Sequence, residues 1–383
     1  MLLYCGGVQP AHESAARIDA LPAETLDWSW IVAAARLHGV EQLLHTHLNT
    51  ILLDRSGMQL DELRESFEAN VRRSFLMSQE LLAILELLAA NQIPALPYKG
   101  PVLAAAEYGN VAHRPCCDLD ILVHRADLDR ARAALIARGY VPEHQLTPLH
   151  ERAWLRARND INLRRADLDI VIELHWELVP QRFGVRFDDD RLWSQTRTVR
   201  IGGRDVQTFS SENLLLFLCV HGTKHGWTRL KWIRDVAAVV ANHPDIDWPD
   251  VFREAQRMGI ERMLTVGLRL ASDTLGCALP EDVKRKTDDA TTVSLAHGVR
   301  ERLFESTETD HSAMERSLFH LKIRERLLDK LRFGFSTAIV PNSSDRLVVG
   351  LPRALTILYY VLRPLRLMHK HWWPNESKSA TLH

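Results

Sequence analysis

Cysteine is sparse in this chain of 383 residues, and Cys5, Cys116, Cys117, Cys219 and Cys277 contain no C-x-x-C spacing. Neither a zinc knuckle nor a disulfide framework is indicated. An excess of one charge is also missing, because 48 Lys and Arg face 49 Asp and Glu for a net charge of −1. Nothing at long range draws such a chain toward nucleic acid, which argues against a polymerase or a large RNA substrate. No uninterrupted apolar run reaches membrane-spanning length. Met1–Pro10 lacks the basic flank of a signal peptide, so the cytoplasm is the expected compartment. His221 and His225 stand at i and i+4, a zinc-compatible spacing, but Gly222 follows the first of them. The H-E-x-x-H chemistry of a metalloprotease is therefore unsupported.

What is present concentrates between Lys99 and Val123, KGPVLAAAEYGNVAHRPCCDLDILV. Lys99-Gly100 follows an apolar run, a short amphipathic segment comes next, and Arg114-Pro115 precedes Asp118-Leu119-Asp120-Ile121-Leu122-Val123. Alternation puts Asp118 and Asp120 on one face of a strand and Leu119 and Ile121 on the other. Two adjacent carboxylates repel, so they need either open water or a cation. Hard oxygen donors at this spacing suit Mg²⁺ or Mn²⁺. A second acidic strand is expected over Asp167–Trp176, with Asp169, Val171, Glu173 and His175 on one face and Leu168, Ile170, Ile172 and Leu174 on the other. Glu173 is then an acid deep within a sheet, and a third carboxylate beside the first two completes a two-metal ligand set.

Gly100, Asp118-x-Asp120 and an acid on a later strand resemble the nucleotidyltransferase fold of the DNA polymerase β superfamily. The K-G-x-x-L…Y…R-P-x-x-D-x-D-I-L-V run, the E-L-H-W strand and the H-G-x-K-H-G-W…L-x-W-x-x-D run resemble, more narrowly, a bacterial group of uncharacterised nucleotidyltransferases. That likeness spans roughly residues 70–270. It implies an α+β fold, in which N-terminal helices and a C-terminal helical domain flank a small mixed-sheet core. It also implies metal-dependent transfer of a nucleoside monophosphate from a nucleoside triphosphate, ATP being the commonest donor, with release of pyrophosphate. Asp118, Asp120 and Glu173 would hold the metal, and Lys99, Gly100 and Arg114 would meet phosphate. His221, Lys224 and His225 would hold the triphosphate from the helical side, the alternative being that the two histidines bond Asp235 or backbone carbonyls between helices. The acceptor would be a hydroxyl or similar group on a small molecule, peptide or protein. One residue departs from the superfamily pattern: Pro101 follows the glycine where Gly or Ser is usual, and it brings neither N–H nor hydroxyl to phosphate. Two other readings stay open, a nucleotide-binding or scaffold protein without transfer, and a phosphotransferase using the same acids.

The length fits two packed domains or one core with helical flanks. Residues 1–92 read as helical, with helices expected over Trp28–Leu48 and Asp61–Ala90. A first strand is expected over Ile93–Tyr98 and a crossover helix over Asp127–Tyr140, so that 93–208 is the α/β core. Arg152, Arg156, Arg158, Arg164 and Arg165 make Glu151–Arg165 basic, either as a solvated hairpin or as a phosphate lining. Ser211 is the expected N-cap of a helical domain over 209–300, in which Trp227 and Trp232 pack rather than stack on a base. A helical extension over 301–374 and a disordered tail over 375–383 complete the chain. Leu351–Trp373 joins an apolar run to Arg363, Arg366, Lys370 and Trp372-Trp373, as a helix packed on its own core or lying at a membrane surface.

Overall fold

A computed structural model describes residues 1–7, 26–51, 58–144, 155, 158–304, 313–339, 358 and 363. Arg152, Arg156, the loop at 341–345, the tail at 375–383 and all of Leu351–Trp373 except Leu358 and Arg363 lie outside them.

The N-terminal section holds α1 (Leu2–Gly6), α2 (Trp28–His38), α3 (Glu41–Ile51) and the long α4 (Met58–Ala90). The single helix expected over Trp28–Leu48 is thus two. Gly39 adopts a left-handed φ of +67°, and its N–H bonds back to the carbonyls of Ala35 and Arg36. That conformation suits glycine and ends the helix.

Five strands form one mixed sheet: β1 (Ala95–Pro97), β2 (Asp118–Val123), β3 (Val141–Pro142), β4 (Asp160–Arg165) and β5 (Ile170–His175). Their spatial order is β1-β2-β5-β4-β3; β2 and β5 run parallel, and the other neighbours are antiparallel. Between β1 and β2 lies α5 (Pro101–Tyr108), and α6 (Leu128–Ala137) provides the crossover. The acidic strand starts later than expected. Residues 166–169 are a turn, and Asp169 sits in it at φ +51° and pairs with Arg164 rather than joining the face of Glu173. Arg165 pairs with Asp167 and Glu80. Arg164 and Arg165 are thus engaged in the hairpin, as a solvated hairpin requires.

The sheet separates two apolar cores. On one side Leu119, Ile121, Ile170, Ile172 and Leu174 pack with Met77, Leu81, Ile84 and Leu88 of α4 and Leu128, Ala131 and Leu135 of α6. Leu122, which shares the face of Asp118 and Asp120, belongs to the other core. That core is built by α7 (Asp189–Ser194), α8 (Ser211–Lys224), α9 (Leu230–Asn242), α10 (Trp248–Met258), α11 (Glu261–Leu275), α12 (Glu281–Thr287) and α13 (Ala290–Arg302), while the hairpin β6 (Thr196–Ile201) and β7 (Arg204–Phe209) gives Phe209 to it and Val199, Ile201 and Val206 to the first core. α14 (Ala313–Ile323) and α15 (Leu327–Ile339) follow. Ile31, Leu44 and Leu48 of the N-terminal helices join the same core. The cap of α8 is Ser210, one residue before the expected Ser211; its side chain accepts from the Asn213 N–H at 3.3 Å. The expected α+β class, a small mixed sheet between helical flanks, is the class the chain adopts.

Candidate active site

The parallel pairing of β2 with β5 sets Asp120 directly opposite Glu173 and Asp118 opposite Val171. Side chains on paired strands at matching positions meet, so register alone brings the acids of two distant segments together. Donor atoms of Asp120, Glu173 and His175 lie within 4.8 Å of one another. Asp118, two residues before Asp120 on the same strand face, is not one of that group.

Asp120 is 1% exposed, and neither of its carboxylate oxygens has a well-directed hydrogen bond. Charge balances it instead, through Lys99 Nζ at 2.6 Å and His175 Nε2 at 3.3 Å from Oδ1. Burial works against its ionisation, but Lys99 and His175 outweigh it and hold the carboxyl below the usual range. His175 Nε2 also lies 3.3 Å from Glu173 Oε2. Its own burial opposes the imidazolium, but the two carboxylates prevail and raise it to about 9. The same histidine bond depresses Glu173. Asp118 has no ion pair among the described residues: burial, reinforced by the Asp120 charge and only partly offset by Lys99, lifts it to about 6.

Lys99 closes the cluster from the β1 side. Burial opposes its charge, yet Asp120, Asp118 and Glu173 raise its pKa above the ordinary lysine value. Gly100 follows in a φ +61°, ψ −134° conformation as the cap of α5, and a Cβ there would sit 3.2 Å from the Asp118 carbonyl. Only glycine occupies that region without strain. Pro101 opens α5 at a position where its missing N–H costs no helical bond.

From the helical side, the end of α8 faces the acids. Burial and the nearby Lys99 charge drive His221 far below its usual pKa. Burial and Lys224 take His225 down to about 3, so both rings are neutral. They bond neither Asp235 nor a third metal donor among the described residues; their rings pack against each other at a tilt, with centroids 4.7 Å apart, and His225 lies 5.0 Å from Trp232. Burial and Lys99 also depress Lys224, while Glu173, Asp160 and Asp120 pull the other way. Trp227 is fully buried and packs against Gly222 and Gly267, which accounts for the glycine between His221 and Thr223.

Arg114 is engaged elsewhere than expected. Its Nε and Nη2 donate to both oxygens of Asp235 at 2.7 and 2.9 Å, and Tyr108 Oη donates to the same carboxylate at 2.6 Å. Burial opposes this charge too, but Asp235 more than restores it. Arg114 therefore joins the start of β2 to α9 as a buried fork-to-fork pair instead of presenting its guanidinium to the acids.

Three further residues shape the site. His175 is the first, and the period-two pattern that put it on the face of Glu173 was its signal. Asn159 is the second: its amide nitrogen donates to the Glu177 carbonyl at 3.1 Å and lies 3.3 Å from His175 Nδ1. Lys231 is the third. Its stem packs on Gly39, where a Cβ would meet Cδ at 2.6 Å, and the adjacent segment is tied down by Arg229 to the Leu37 carbonyl and by Leu230 N–H to His38. Burial and Arg114 lower its pKa, opposed by Asp235, Cys117 and Asp118. Neither Lys224 nor Lys231 forms an ion pair among the described residues. No sequence signal linked Gly39 to Lys231.

The donor set suits a divalent cation. Asp120 supplies two buried oxygens without directed hydrogen bonds, Glu173 lies beside it, and Asp118 is on the same face. His175 adds a nitrogen that Mn²⁺ tolerates better than Mg²⁺.

A family model described as an uncharacterised nucleotidyltransferase matches residues 24–276. No curated protein matches. Among solved structures, the solution structure of the antibiotic-resistance factor ANT(2'')-Ia is 14% identical and covers 59% of this chain and 92% of its own, with a TM-score of 0.30. The crystal structure of ANT(2'')-Ia in complex with adenylyl-2''-tobramycin is 16% identical and covers 59% and 98%, again with a TM-score of 0.30. The family model spans the Lys99–Gly100 turn, the acids of β2 and β5 and the histidine-bearing end of α8, and with it the chain belongs to the uncharacterised nucleotidyltransferase family and is a transferase enzyme.

Proposed function

We propose that this enzyme moves a nucleoside monophosphate, from ATP as the first donor to test, onto a hydroxyl or similar group of a small molecule, peptide or protein. The observation that carries the reading is the convergence of Asp120, Glu173 and His175, with Asp118 and Lys99 beside them, on the sheet face turned toward Lys224 and Lys231.

Asp118, Asp120 and Glu173 would hold Mg²⁺ or Mn²⁺. When bound, the metal supplies Lewis acidity, neutralising phosphate charge and lowering the pKa of the acceptor hydroxyl. The acceptor oxygen forms a bond to the α-phosphorus as the α–β bridging bond breaks, and pyrophosphate leaves in line. Glu173, kept ionised by His175, takes the hydroxyl proton. Lys99 holds Asp120 ionised before substrate arrives and is then the nearest cation to turn toward phosphate. Lys224 and Lys231 meet the β- and γ-phosphates from the helical side, where residues 209–300 close over the nucleotide. Neutral His221 and His225 donate hydrogen bonds there without adding charge. Gly100 lets the chain come close to phosphate where a Cβ would intrude. Arg114 acts through Asp235 by fixing α9, and hence Lys231, against β2.

The test is product analysis with α- and γ-labelled ATP, GTP, CTP and UTP, Mg²⁺ or Mn²⁺, and pools of hydroxylated small molecules, peptides and proteins. A monophosphate adduct with pyrophosphate, absent in Asp118→Asn/Asp120→Asn, is the expected result. A phosphoryl adduct with nucleoside diphosphate would replace this reading with γ-phosphate transfer. Metal-dependent nucleotide binding without any product across the pools would replace it with nucleotide binding alone.

A further inference from the structure

A guanidinium without a counter-charge lies on α9, outside the acid cluster. Arg234 precedes Asp235, and its guanidinium carbon stands over the Tyr108 ring, 4.8 Å from the centroid. Stacking satisfies the face of such a group and leaves its N–H edge to find acceptors. Arg234 Nε and Nη1 are buried and have no hydrogen-bond partner. The neighbouring acid is not available, because both oxygens of Asp235 accept from Arg114 and one also accepts from Tyr108. Tyr108 and Cys277 bring no charge of their own. Burial and Asp235 keep the Tyr108 hydroxyl protonated, and burial lifts the Cys277 thiol to about 12 against the pull of Arg234. Arg234 forms no ion pair among the described residues.

The other groups around this cation are histidines. His113 ends the turn Val111–His113, where the Ala112 carbonyl accepts from Asn70 Nδ2 at 2.7 Å and the Ala112 N–H donates to Asn110 Oδ1 at 2.9 Å. His47 lies on α3 with Nδ1 2.8 Å from the Leu43 carbonyl, so that nitrogen carries the proton and Nε2 is left for another partner. Burial lowers the pKa of His113, His47 and Arg234 lower it further, and a bond to the Tyr108 carbonyl opposes them. Three groups from α9, α3 and the turn thus lie within electrostatic reach of one another, and what they share is a need for negative charge.

We propose that Arg234, His113 and His47 form a binding site for a phosphate-class oxyanion, separate from the acids of β2 and β5. A tetrahedral oxyanion accepts from several directions at once and suits donors arriving from three elements. A planar carboxylate would be saturated by the guanidinium fork alone. The bound charge would pair with the guanidinium and favour protonation of both histidines, which turns each into a further donor. Arg234 is one helical turn beyond Lys231, so an anion held there braces the segment of α9 that carries Lys231. The site does not depend on nucleotidyl transfer.

The test is thermal unfolding of the full chain in inorganic phosphate against chloride at matched ionic strength, so that general screening is equal in both. A ligand of the folded state raises the melting temperature. We expect phosphate to raise it in wild type and in Lys224→Gln/Lys231→Gln, and Arg234→Gln to weaken phosphate about tenfold or more. His113→Gln should weaken it too, and Arg234→Lys, which keeps the charge and loses the fork, should restore part of the response. In chloride, Arg234→Gln should melt no lower than wild type, since it removes an unmatched buried charge. Pyrophosphate acting at lower concentration than phosphate would make the ligand a diphosphate, and equal action a single phosphate group; both place an oxyanion on Arg234 if the variant abolishes them. No response in wild type, or an equal response in Arg234→Gln, overturns the proposal. A response lost in Lys224→Gln/Lys231→Gln and kept in Arg234→Gln assigns the anion to the nucleotide cleft and overturns it as well. So does a lower chloride melt in Arg234→Gln with the response of His113→Gln intact, which would leave Arg234 as a packing partner of Tyr108.

Discussion

The raised pKa of Asp118 makes metal affinity a reporter of the site. A carboxylate must be ionised to hold a metal, so a proton competes with the metal wherever the solution lies below its pKa. Burial and the Asp120 charge set that pKa at about 6. Between about pH 7 and about pH 5 the competition should cost about tenfold in affinity, or about 1.4 kcal/mol. Asp120 and Glu173, held low by Lys99 and His175, add no step in that window. The assay is isothermal titration of Mn²⁺, and separately Mg²⁺, into wild type and Asp118→Asn without nucleotide. Wild type should lose affinity on acidification, and Asp118→Asn should bind more weakly with no step near 6. A second step is set by His175: if Nε2 binds Mn²⁺, its proton must leave, and affinity continues to rise up to about 9. Mg²⁺, with its preference for oxygen, should level off above 6. A wild-type affinity flat from about pH 5 to about pH 7, or the same step in Asp118→Asn, would refute the assignment of Asp118 as a ligand.

Three further outcomes follow from the geometry. Asp235→Leu leaves the buried Arg114 guanidinium without its counter-charge and should cost about 3–5 kcal/mol in urea denaturation, most of it recovered in Arg114→Met/Asp235→Leu. A single variant that melts like wild type would show that the pair does not clamp β2 to α9. Gly100→Ala places a Cβ 3.2 Å from the Asp118 carbonyl at positive φ, and should lose about 1–3 kcal/mol of stability together with nucleotide affinity; unchanged affinity would remove the turn from the phosphate site. Lys231→Gln should weaken nucleotide binding about tenfold with an unchanged melt, because a charge-assisted hydrogen bond contributes about 1.5–3 kcal/mol. Gly39→Ala should reproduce part of that loss by displacing the lysine stem, and no change in either variant counts against Lys231 as a phosphate ligand.

Local pattern determined much of this protein from sequence alone. Alternation placed Asp118 and Asp120 on one strand face and Glu173 with His175 on another, because a strand leaves no other arrangement of successive side chains. Apolar spacing located the long helix of the N-terminal section and the helices after residue 210, and the quoted motifs named the family. Local signals also failed locally. Gly39 splits one expected helix in two, and the turn at 166–169 takes Asp169 off the acidic strand, since a left-handed residue ends a regular element whatever the periodicity around it. Tertiary structure alone decided which charges meet. The parallel register of β2 on β5 put Glu173 and His175 against Asp120, while Arg114, near Asp118 in sequence, was taken by Asp235, 121 residues away. Lys231, which no motif singled out, lies where Gly39 leaves room for its stem. The difference is physical: strand and helix periods are set by neighbouring residues, whereas a buried charge is matched by whichever opposite charge the fold brings within a few ångströms.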